Sequence, residues 1–385
     1  MNKRDLSEIV NNLDNHIVNV FKKLHSNPEL SNEEYETTRY IKELLEEVDV
    51  EIIDSGLKTG VIAEIGSKEG PIVALRCDID ALPINEETEL EYKSNNKEKM
   101  HACGHDFHIS TVLGVAYLLK YHEEELKGRV RLLFQPAEET GHGAEEVIRA
   151  KALDNVDAIF GLHNNSNLPV GTIGTNIGPL TAAVDRFEII VNGIGSHAAD
   201  PDRSIDPVVV SSYLVTALQT IISRNISPYD KALISVTKIS SGNTWNVIPM
   251  MANLEGTVRT LNSDTRKFIE NRMREISEGV GKSFGATIDF QWYPGPPATD
   301  NDLQWTIFAI DIANKLGYVV EKIGPWLGGE DFAYYQELVK GTFINVGTGI
   351  SYPHHHPKFQ VDDGALRPAI DYFNVLVKSA LNEID

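Results

Sequence analysis

The segment PIVALRCDID, residues 71–80, is a short apolar run that ends in two aspartates, Asp78 and Asp80. Similar runs recur along the first half of the chain: GVIAEI at 60–65, RVRLLF at 129–134 and DAIFGL at 157–162. Helical patterns at 105–121 and 142–150 lie between the later runs. Because short buried strands that alternate with helices are typical of parallel sheets, we expect an α/β domain with a mostly parallel sheet.

Helical patterns also precede the first of these strands, at 5–25 and at 32–47. Ser31 and Glu34 lie three residues apart at the start of the second pattern and form a plausible capping box. We expect both helices to pack on the sheet.

The order of elements changes near residue 183. A strand, a helix, two strands, a helix and a strand follow, at 185–192, 206–224, 232–240, 251–260, 263–284 and 286–293. This β-α-β-β-α-β order is the ferredoxin-like arrangement. The α/β pattern resumes with a helix at 301–316, the strand GTFINVG and a closing helix at 364–383. We therefore expect one domain, 1–183 and 296–385, interrupted by an inserted α+β domain at 184–295.

The composition favours a small-molecule partner. The 385 residues include 56 acidic and 35 basic side chains, and the formal net charge of −21 repels nucleic acid and anionic lipid at long range.

Apolar runs stay below the roughly 18 residues of a spanning helix, and the N-terminus does not resemble a signal peptide, so we expect a cytoplasmic location. Cys77 and Cys103 are too few for a disulfide framework.

The segment MHACGHDFH at 100–108 has the densest cluster of candidate metal ligands. If it is extended, alternate side chains share a face, and Cys103 and His105 can then bind one ion. The alternative is that His105 and His108 lie on a helix and that Cys103 is a small buried residue. Spacing alone does not decide between the two interpretations.

The segment QPAEE at 135–139, which contains Glu138 and Glu139, comes directly after the strand RVRLLF, at the carboxyl end where open α/β sheets bind ligands. Adjacent carboxylates in an extended segment face opposite ways, so one can bind a metal while the other reaches a water molecule. The alternative is a solvated acidic helix start, stabilised by the helix dipole.

Further candidate ligands follow other strands. His163 ends DAIFGLHNN, Asp78 and Asp80 end PIVALRCDID, and the triplet His354, His355 and His356 follows GTFINVG in a loop. Each residue alone has an ordinary structural explanation. Because separate strand ends supply carboxylates, a thiol and imidazoles, a metal site explains them better together.

These motifs together resemble the metal-dependent amidohydrolase family that includes aminoacylase-like enzymes, hippurate hydrolases and indoleacetyl-amino-acid hydrolases. The resemblance covers nearly the whole chain, from LHSNPELSNEEYETTRYI through ALRCDIDALPINEET, MHACGHDFH, FQPAEET and GLHN to DRFEIIVNGIGSHAADP, NTWNVIP and HHPKF. It implies a zinc-peptidase-like catalytic domain that is interrupted by a smaller lid domain, which also forms a homodimer.

The resemblance also implies roles for individual residues. The metal ligands that it implies are Cys103, His105, Glu139, His163 and His355. Glu138 matches the family's general acid/base, and Asp80 matches the carboxylate that orients ligands, whereas Asp78 stands where other branches carry a metal-binding histidine. The lid positions that it implies are His197 as a donor to the developing oxyanion and Asn246 and Arg259 as contacts of the substrate carboxylate.

Five ligands are too many for one tetrahedral ion with an open position, so we expect two divalent ions, zinc or manganese, with cobalt or nickel feasible. The expected reaction is hydrolysis of the amide bond of N-acyl, by default N-acetyl, amino acids. Alternatives are a dipeptidase or aminopeptidase, a hydrolase in which Cys103 is the nucleophile with His105 or His101 as base, and a metal-binding protein with a vestigial site.

Overall fold

The computed structural model describes residues 5–66 and 69–384, and the chain forms two units. The first unit consists of Met1–Leu180, Thr299–Gly324 and Asp331–Asp385, and the second of Thr181–Ala298 and Pro325–Glu330. The ends of the predicted first domain, residues 1–4 and 385, and its residues 67–68 lie outside the described residues. The segment 325–330, which the sequence predicts to continue the first domain, joins the second unit.

The first unit contains an eight-stranded sheet with helices on both faces. Numbered along the chain, the strands of this unit are β1 (Glu51–Ile53), β2 (Val61–Gly66), β3 (Ile72–Asp78), β4 (Arg129–Gln135), β5 (Ala158–Asn165), β6 (Thr172–Thr175), β7 (Gly178–Pro179), β14 (Asp300–Asn301), β15 (Val319–Lys322) and β16 (Gly341–Gly347). Its helices are α1 (Leu6–Asn11), α2 (Leu13–His25), α3 (Tyr35–Glu46), α4 (His105–Tyr121), α5 (Gly143–Arg149), α8 (Leu303–Lys315), α9 (Ala333–Gln336) and α10 (Leu366–Glu383).

The strand order of the large sheet is β1-β2-β4-β3-β5-β16-β6-β15, and its central strands β4, β3, β5 and β16 are parallel. Every residue of β3 is buried. Val73, Leu75 and Cys77 pack in the core that contains α2, α4 and α10, whereas Ala74 packs in the core that contains α5 and α9. Because both faces are covered, the strand is apolar from Ile72 to Leu75 on both faces. The predicted mostly parallel α/β sheet is confirmed.

The second unit contains a four-stranded antiparallel sheet in the order β10-β12-β8-β13. The elements of this unit are β8 (Ala183–Asn192), β9 (Ser196–His197), α6 (Pro207–Thr220), β10 (Ala232–Ser241), β11 (Val247–Ile248), β12 (Met251–Thr260), α7 (Ser263–Phe284) and β13 (Thr287–Tyr293). Alternate residues of β8 are buried, among them Phe187, Ile189 and Val191, and they pack with the buried faces of α6 and α7. The predicted ferredoxin-like arrangement is confirmed.

Two details at the N-terminus differ from the sequence predictions. The helix predicted at 5–25 is two helices, α1 and α2, that meet at Asn12. The capping box of Ser31 and Glu34 is wrong, because α3 begins at Tyr35 and Glu34 makes no side-chain cap hydrogen bond. Both side chains instead contact distant segments: the Ser31 hydroxyl donates to Asp80 at 2.6 Å, and Glu34 accepts the N–H of Ala137 at 2.8 Å.

Among the described residues, no helix combines the length and the hydropathy that crossing a membrane requires.

A buried ion-pair cluster joins α2 to α4. His25, the last residue of α2, is 4% exposed, and its Nδ1 and Nε2 lie 2.7 Å from Asp106 Oδ2 and 3.2 Å from Glu86 Oε1. Burial alone lowers the pKa of His25, but the hydrogen bonds with the two carboxylates raise it to about 9. The ring is therefore protonated at neutral pH.

We expect His25→Gln to lower the free energy of unfolding by about 3 kcal/mol at pH 6. Because folding raises the pKa of His25 from 6.5 to about 9, this stabilisation is complete below pH 6.5 and is lost as the pH rises through 9. Urea unfolding of both proteins at pH 6 and at pH 9.5 measures the difference. His16→Gln, on the same helix, is the control, and a stability gap that is equal at both pH values contradicts the assignment.

Candidate metal centre

The alignment of four neighbouring strands brings the candidate residues together. Because β4, β3, β5 and β16 are parallel, their carboxyl ends lie at one edge of the sheet. Glu138 and Glu139 follow β4, Asp80 follows β3, His163 lies near the end of β5, and His355 lies in the loop after β16. Residues that are far apart in the sequence therefore meet at this edge.

The local conformation at Cys103 differs from the extended segment that the sequence analysis assumed. Helix α4 begins at His105, and Gly104 precedes it in the left-handed region with φ of +83°. A Cβ atom at Gly104 would lie 2.3 Å from the side-chain nitrogen of Asn164, so the position requires glycine. The turn brings the Cys103 Sγ within 3.5 Å of His163 Nε2.

Glu138 and Glu139 are also not in an extended segment. They begin a 3₁₀ turn, Glu138–Thr140, which follows Ala137 with φ of +55°. The left-handed conformation of Ala137 is uncommon for a residue with a side chain. The hydrogen bond from its N–H to the buried Glu34 stabilises this conformation. Neither segment is extended, the condition on which the shared-face interpretations depended, although the candidate side chains do meet.

The predicted ligands form overlapping groups, in each of which the candidate ligand atoms lie within 4.8 Å of one another. The three groups are Cys103, His105 and His163; Cys103, Glu139 and His355; and His105, Glu138 and Glu139. Within them, Glu139 Oε1 lies 3.4 Å from His355 Nε2 and 3.9 Å from His105 Nε2. The structure therefore gathers all five predicted ligands and Glu138 in one place.

The chemistry of this cluster fits a divalent cation. His105 Nε2 and Glu139 Oε1 are buried, and neither has a hydrogen-bond partner among the described residues. A buried polar atom without a partner costs free energy, and a cation bound between these atoms would satisfy both. Thiolate, imidazole and carboxylate are the side chains that bind zinc in proteins.

The Nδ1 atoms of two candidate imidazoles, His105 and His163, are held by hydrogen bonds. His105 Nδ1 lies 3.2 Å from Asp80 Oδ1, and His163 Nδ1 lies 2.7 Å from the carbonyl oxygen of Asn164. Because a carbonyl only accepts, His163 carries its proton on Nδ1 and presents the lone pair of Nε2 toward Cys103. The Asp80 carboxylate orients His105 in the same way, as carboxylates do beside metal-binding histidines.

Negative charge surrounds His105. Burial alone lowers its pKa, but Asp78, Asp80 and Glu139 raise the pKa of His105 to about 10. The same surroundings act in the opposite sense on a thiol, because burial and then the carboxylates of Glu139 and Glu138 raise the pKa of Cys103 well above its usual value. The cluster therefore stabilises positive charge, whether a proton or a metal cation supplies it.

Asp78 and His108 lie close to His105 but hold each other. Asp78 Oδ1 accepts from His108 Nδ1 at 2.6 Å, and His108 Nε2 accepts the main-chain N–H of Asn164 at 2.8 Å. Both ring nitrogens of His108 are thus engaged within the protein. His108 is therefore not available as a ligand, although its ring stacks against that of His105.

The three histidines of the C-terminal triplet have different surroundings. His354 Nε2 lies 3.0 Å from Asn164 Oδ1, and His356 stacks on the ring of Tyr352. His355 adopts a φ of +65° and places its Nε2 beside Glu139, with 52% of its side chain exposed. This geometry favours His355 over its two neighbours.

A buried network beneath the cluster was missed by the sequence analysis. Arg76, fully buried in β3, donates to Asp78, Gln135 and Asp331 at 2.8–2.9 Å. Asp331 also accepts from Gln135 and from the N–H of Ala144. An arginine inside an otherwise apolar strand was the available signal, since such a charge is buried only with partners.

The remaining candidates lie in the second unit. His197 in β9 is exposed, and its Nδ1 accepts the N–H of Ala199 at 3.0 Å, so that its proton lies on Nε2. The half-buried Asn246 accepts the N–H of Ala198 through its main-chain oxygen, next to His197. Arg259 is half-buried on β12, and its guanidinium makes no ion pair or hydrogen bond with another described residue.

Comparisons with known proteins agree with this geometry. The family model described as peptidase family M20/M25/M40 matches residues 74–379. An N-acetylcysteine deacetylase of Bacillus subtilis (strain 168) is 47% identical over 96% of this chain and 97% of that protein. Thermostable carboxypeptidase 1 of Saccharolobus solfataricus is 40% identical over 95% of this chain and 94% of that protein.

A solved structure is similar over the same extent. The YxeP protein of Bacillus subtilis, described as a dinuclear metal-binding peptidase from the M20 family, is 43% identical and superposes with a TM-score of 0.88. The match covers 96% of this chain and 99% of that one. The similarity therefore includes both units.

The raised pKa of Cys103 predicts low reactivity of its thiol. We expect iodoacetamide to alkylate Cys103 in the metal-free protein at least about tenfold more slowly at pH 7 than it alkylates free cysteine, because only the thiolate is nucleophilic. Peptide mass spectrometry measures the rate, and Cys103→Ser reports any labelling of Cys77. Rapid alkylation at neutral pH would instead indicate an activated nucleophile.

Proposed function

The chain belongs to the peptidase family M20/M25/M40, and we propose that it is an amidohydrolase that removes the acyl group, by default acetyl, from N-acyl amino acids. The gathering of Cys103, His105, Glu139, His163 and His355 beside Glu138 carries the proposal. The deacetylase relative supports the substrate class, and the amidohydrolase resemblance of the motifs is confirmed. A C-terminal peptide bond, which a carboxypeptidase cleaves, likewise joins an acyl group to an amino acid with a free carboxylate.

We propose that two divalent cations occupy the cluster, zinc or manganese by preference, with cobalt or nickel feasible. Cys103, His105, His163, Glu139 and His355 would hold the cations, and Cys103 belongs both to the group with His105 and His163 and to the group with Glu139 and His355. When bound, divalent cations polarise the scissile carbonyl and make water acidic enough to lose a proton near neutral pH. The unpartnered His105 Nε2 and Glu139 Oε1 support this assignment.

Glu138 is proposed as the general acid/base. It lies half-buried next to Glu139 in the 3₁₀ turn, and its carboxylate is within 4.8 Å of a ligand atom of His105. From there Glu138 would take a proton from the attacking water and deliver it to the leaving amine. Asp80 does not react in this scheme; it orients His105 and, by accepting the N–H of Glu139 at 3.0 Å, the adjacent turn.

The second unit is proposed as a lid that supplies substrate contacts. An Nε2–H of His197 would donate to the developing oxyanion, and Asn246 and Arg259 would bind the substrate carboxylate. The guanidinium of Arg259 has no ion-pair partner in the described part of the chain, and burial lowers its pKa, so an anionic ligand would be favourable there. The homodimer through this unit stays a prediction, which the exposed Val208 and Tyr213 of α6 support.

The competing mechanism with Cys103 as nucleophile is disfavoured by the charge around the thiol. Although His163 Nε2 lies 3.5 Å from the sulfur, burial and two carboxylates keep the thiol protonated in the absence of a cation. A catalytic cysteine needs positive surroundings that lower its pKa.

The first prediction of the proposal concerns the reaction itself. Metal-stripped protein is reconstituted with zinc, manganese, cobalt or nickel and offered acetyl, benzoyl and indoleacetyl amino acids and free dipeptides, with release of the amino acid as the measurement. We expect hydrolysis only after a metal is added. Glu138→Gln should lower kcat by about 10²- to 10⁴-fold with unchanged metal content, because it removes proton transfer and no ligand.

Glu145→Gln, on the exposed first turn of α5, is the control for a change of charge near the site. Turnover by stripped enzyme in the presence of chelator would refute the metal assignment. Bound metal without turnover of any substrate would favour a vestigial site, and hydrolysis of free dipeptides alone would favour an aminopeptidase.

A second prediction concerns recognition of the carboxylate. We expect Arg259→Ala to raise KM for an N-acetyl amino acid by about 10- to 100-fold, because a charge-assisted hydrogen bond contributes about 1.5–3 kcal/mol. The KM for the corresponding N-acetyl amino acid amide, which has no carboxylate, should not change. Arg186→Ala in β8 of the same sheet is the control. Equal increases for both substrates would exclude the assignment.

A further inference from the structure

We infer that Asn164 is a positioning residue that fixes the spacing of three segments of the metal centre; the inference rests on the proposed two-metal site. Asn164 follows His163 in β5 and is fully buried. It offers no ligand to a cation in the proposed site. Its role is instead visible in the partners of its four polar groups.

The four polar groups of Asn164 contact three segments of the centre. The main-chain N–H donates to His108 Nε2 at 2.8 Å, and the main-chain carbonyl accepts from His163 Nδ1 at 2.7 Å. The side-chain nitrogen donates to the carbonyl oxygen of Cys103, and the side-chain oxygen lies 3.0 Å from His354 Nε2. One residue thus touches the segment of Cys103, the end of β5 and the loop of His355.

These contacts matter because the ligands come from separate parts of the chain. The backbone torsions of one segment do not set the distance between the Cys103 sulfur and the imidazole of His355. The planar amide of Asn164 is hydrogen-bonded to both segments and therefore limits that distance. Breaking either side-chain hydrogen bond leaves a buried polar group unpaired. The amide of Asn164 therefore acts together with the main-chain hydrogen bond from His355 to Ala102, at 2.8 Å, to hold the two segments at a fixed separation. Gly104 leaves the space that the amide occupies.

The direction of each hydrogen bond requires an amide. The Cys103 carbonyl only accepts, so the group facing it has to donate, and the opposite end of the side chain accepts from His354. Asn164→Asp keeps the shape and the acceptor for His354 but places a carboxylate oxygen against the Cys103 carbonyl. This substitution removes the donor to the Cys103 carbonyl, and the 3.1 Å contact of the same nitrogen with His108 Nε2, without opening a cavity.

The test uses full-length protein loaded with cobalt(II). We expect Asn164→Asp and Asn164→Ala to bind cobalt about 10- to 100-fold more weakly than the wild type, which is the usual effect of losing a group that orients a ligand. The cobalt–thiolate charge-transfer absorption should shift or weaken as well, because the Cys103 segment moves. Asn165→Ala, the adjacent residue whose side chain bonds to Asn345, should change neither quantity.

His354 provides a variant whose folding is less at risk, since its loop is partly exposed. His354→Leu should weaken cobalt binding, whereas His354→Gln should bind cobalt as tightly as the wild type, because glutamine can donate to the Asn164 oxygen. The double variant His354→Leu with Asn164→Ala should bind cobalt no more weakly than Asn164→Ala alone. If the Asn164 variants do not fold, the His354 pair decides. If Asn164→Asp folds and its cobalt affinity and cobalt–thiolate absorption are unchanged, the role of Asn164 is wrong but the proposed metal site stands. If the wild type binds no cobalt, the proposed metal site itself is wrong.

Discussion

The parallel alignment of β4, β3, β5 and β16 is the constraint on which the rest of the structure depends. Their register pairs Asp78 with Gln135 and His163 with Asn345. The carboxyl ends of neighbouring strands, and the candidate residues at or after them, therefore lie side by side at one edge of the sheet. A slip of one residue would turn every side chain of a strand to the opposite face. Because helices cover both faces of the sheet, such a slip would move the side chains of each core into the other and disrupt the packing of both. Packing far from the edge therefore sets the positions of the ligands at the edge.

Charge is the second requirement of this edge. Asp78 at the end of β3 and Asp331 in the turn before α9 are both buried. An unpaired buried carboxylate would be strongly destabilising, and the fully buried Arg76 pairs with both. Asp80 has no such permanent partner and faces His105 and the N–H of Glu139. Arg76 thus supplies one positive charge against the two carboxylates beneath the centre, and Asp78 also acts on His105 within it. The negative charge that Arg76 does not balance favours a proton or a cation at the centre.

Much of the fold could be predicted from the sequence, because the apolar runs and the helical patterns are local signals. The strands and α4 lie close to their predicted positions, and strand ends correctly indicated where His163 and Glu139 would lie. What the sequence could not indicate was long-range and directional. Ser31 and Glu34 have the spacing of a cap, yet their partners are Asp80 and Ala137, and Asn164 acquires its partners only when three segments meet. The segment around Cys103 is not extended, because Gly104 adopts a left-handed conformation and α4 begins at the next residue.

The place of the insertion follows from the same alignment. The chain leaves the first unit after β7 and returns at β14, and these two short strands pair with each other, Pro179 opposite Asp300. The exit and the return are therefore neighbours within the first unit, and the inserted residues do not interrupt the run of strands that carries the ligands. A segment that begins and ends at adjacent points adds little constraint to the unit that hosts it. All five proposed ligands and Glu138 belong to the first unit, so a change in length or sequence within the insertion removes none of them.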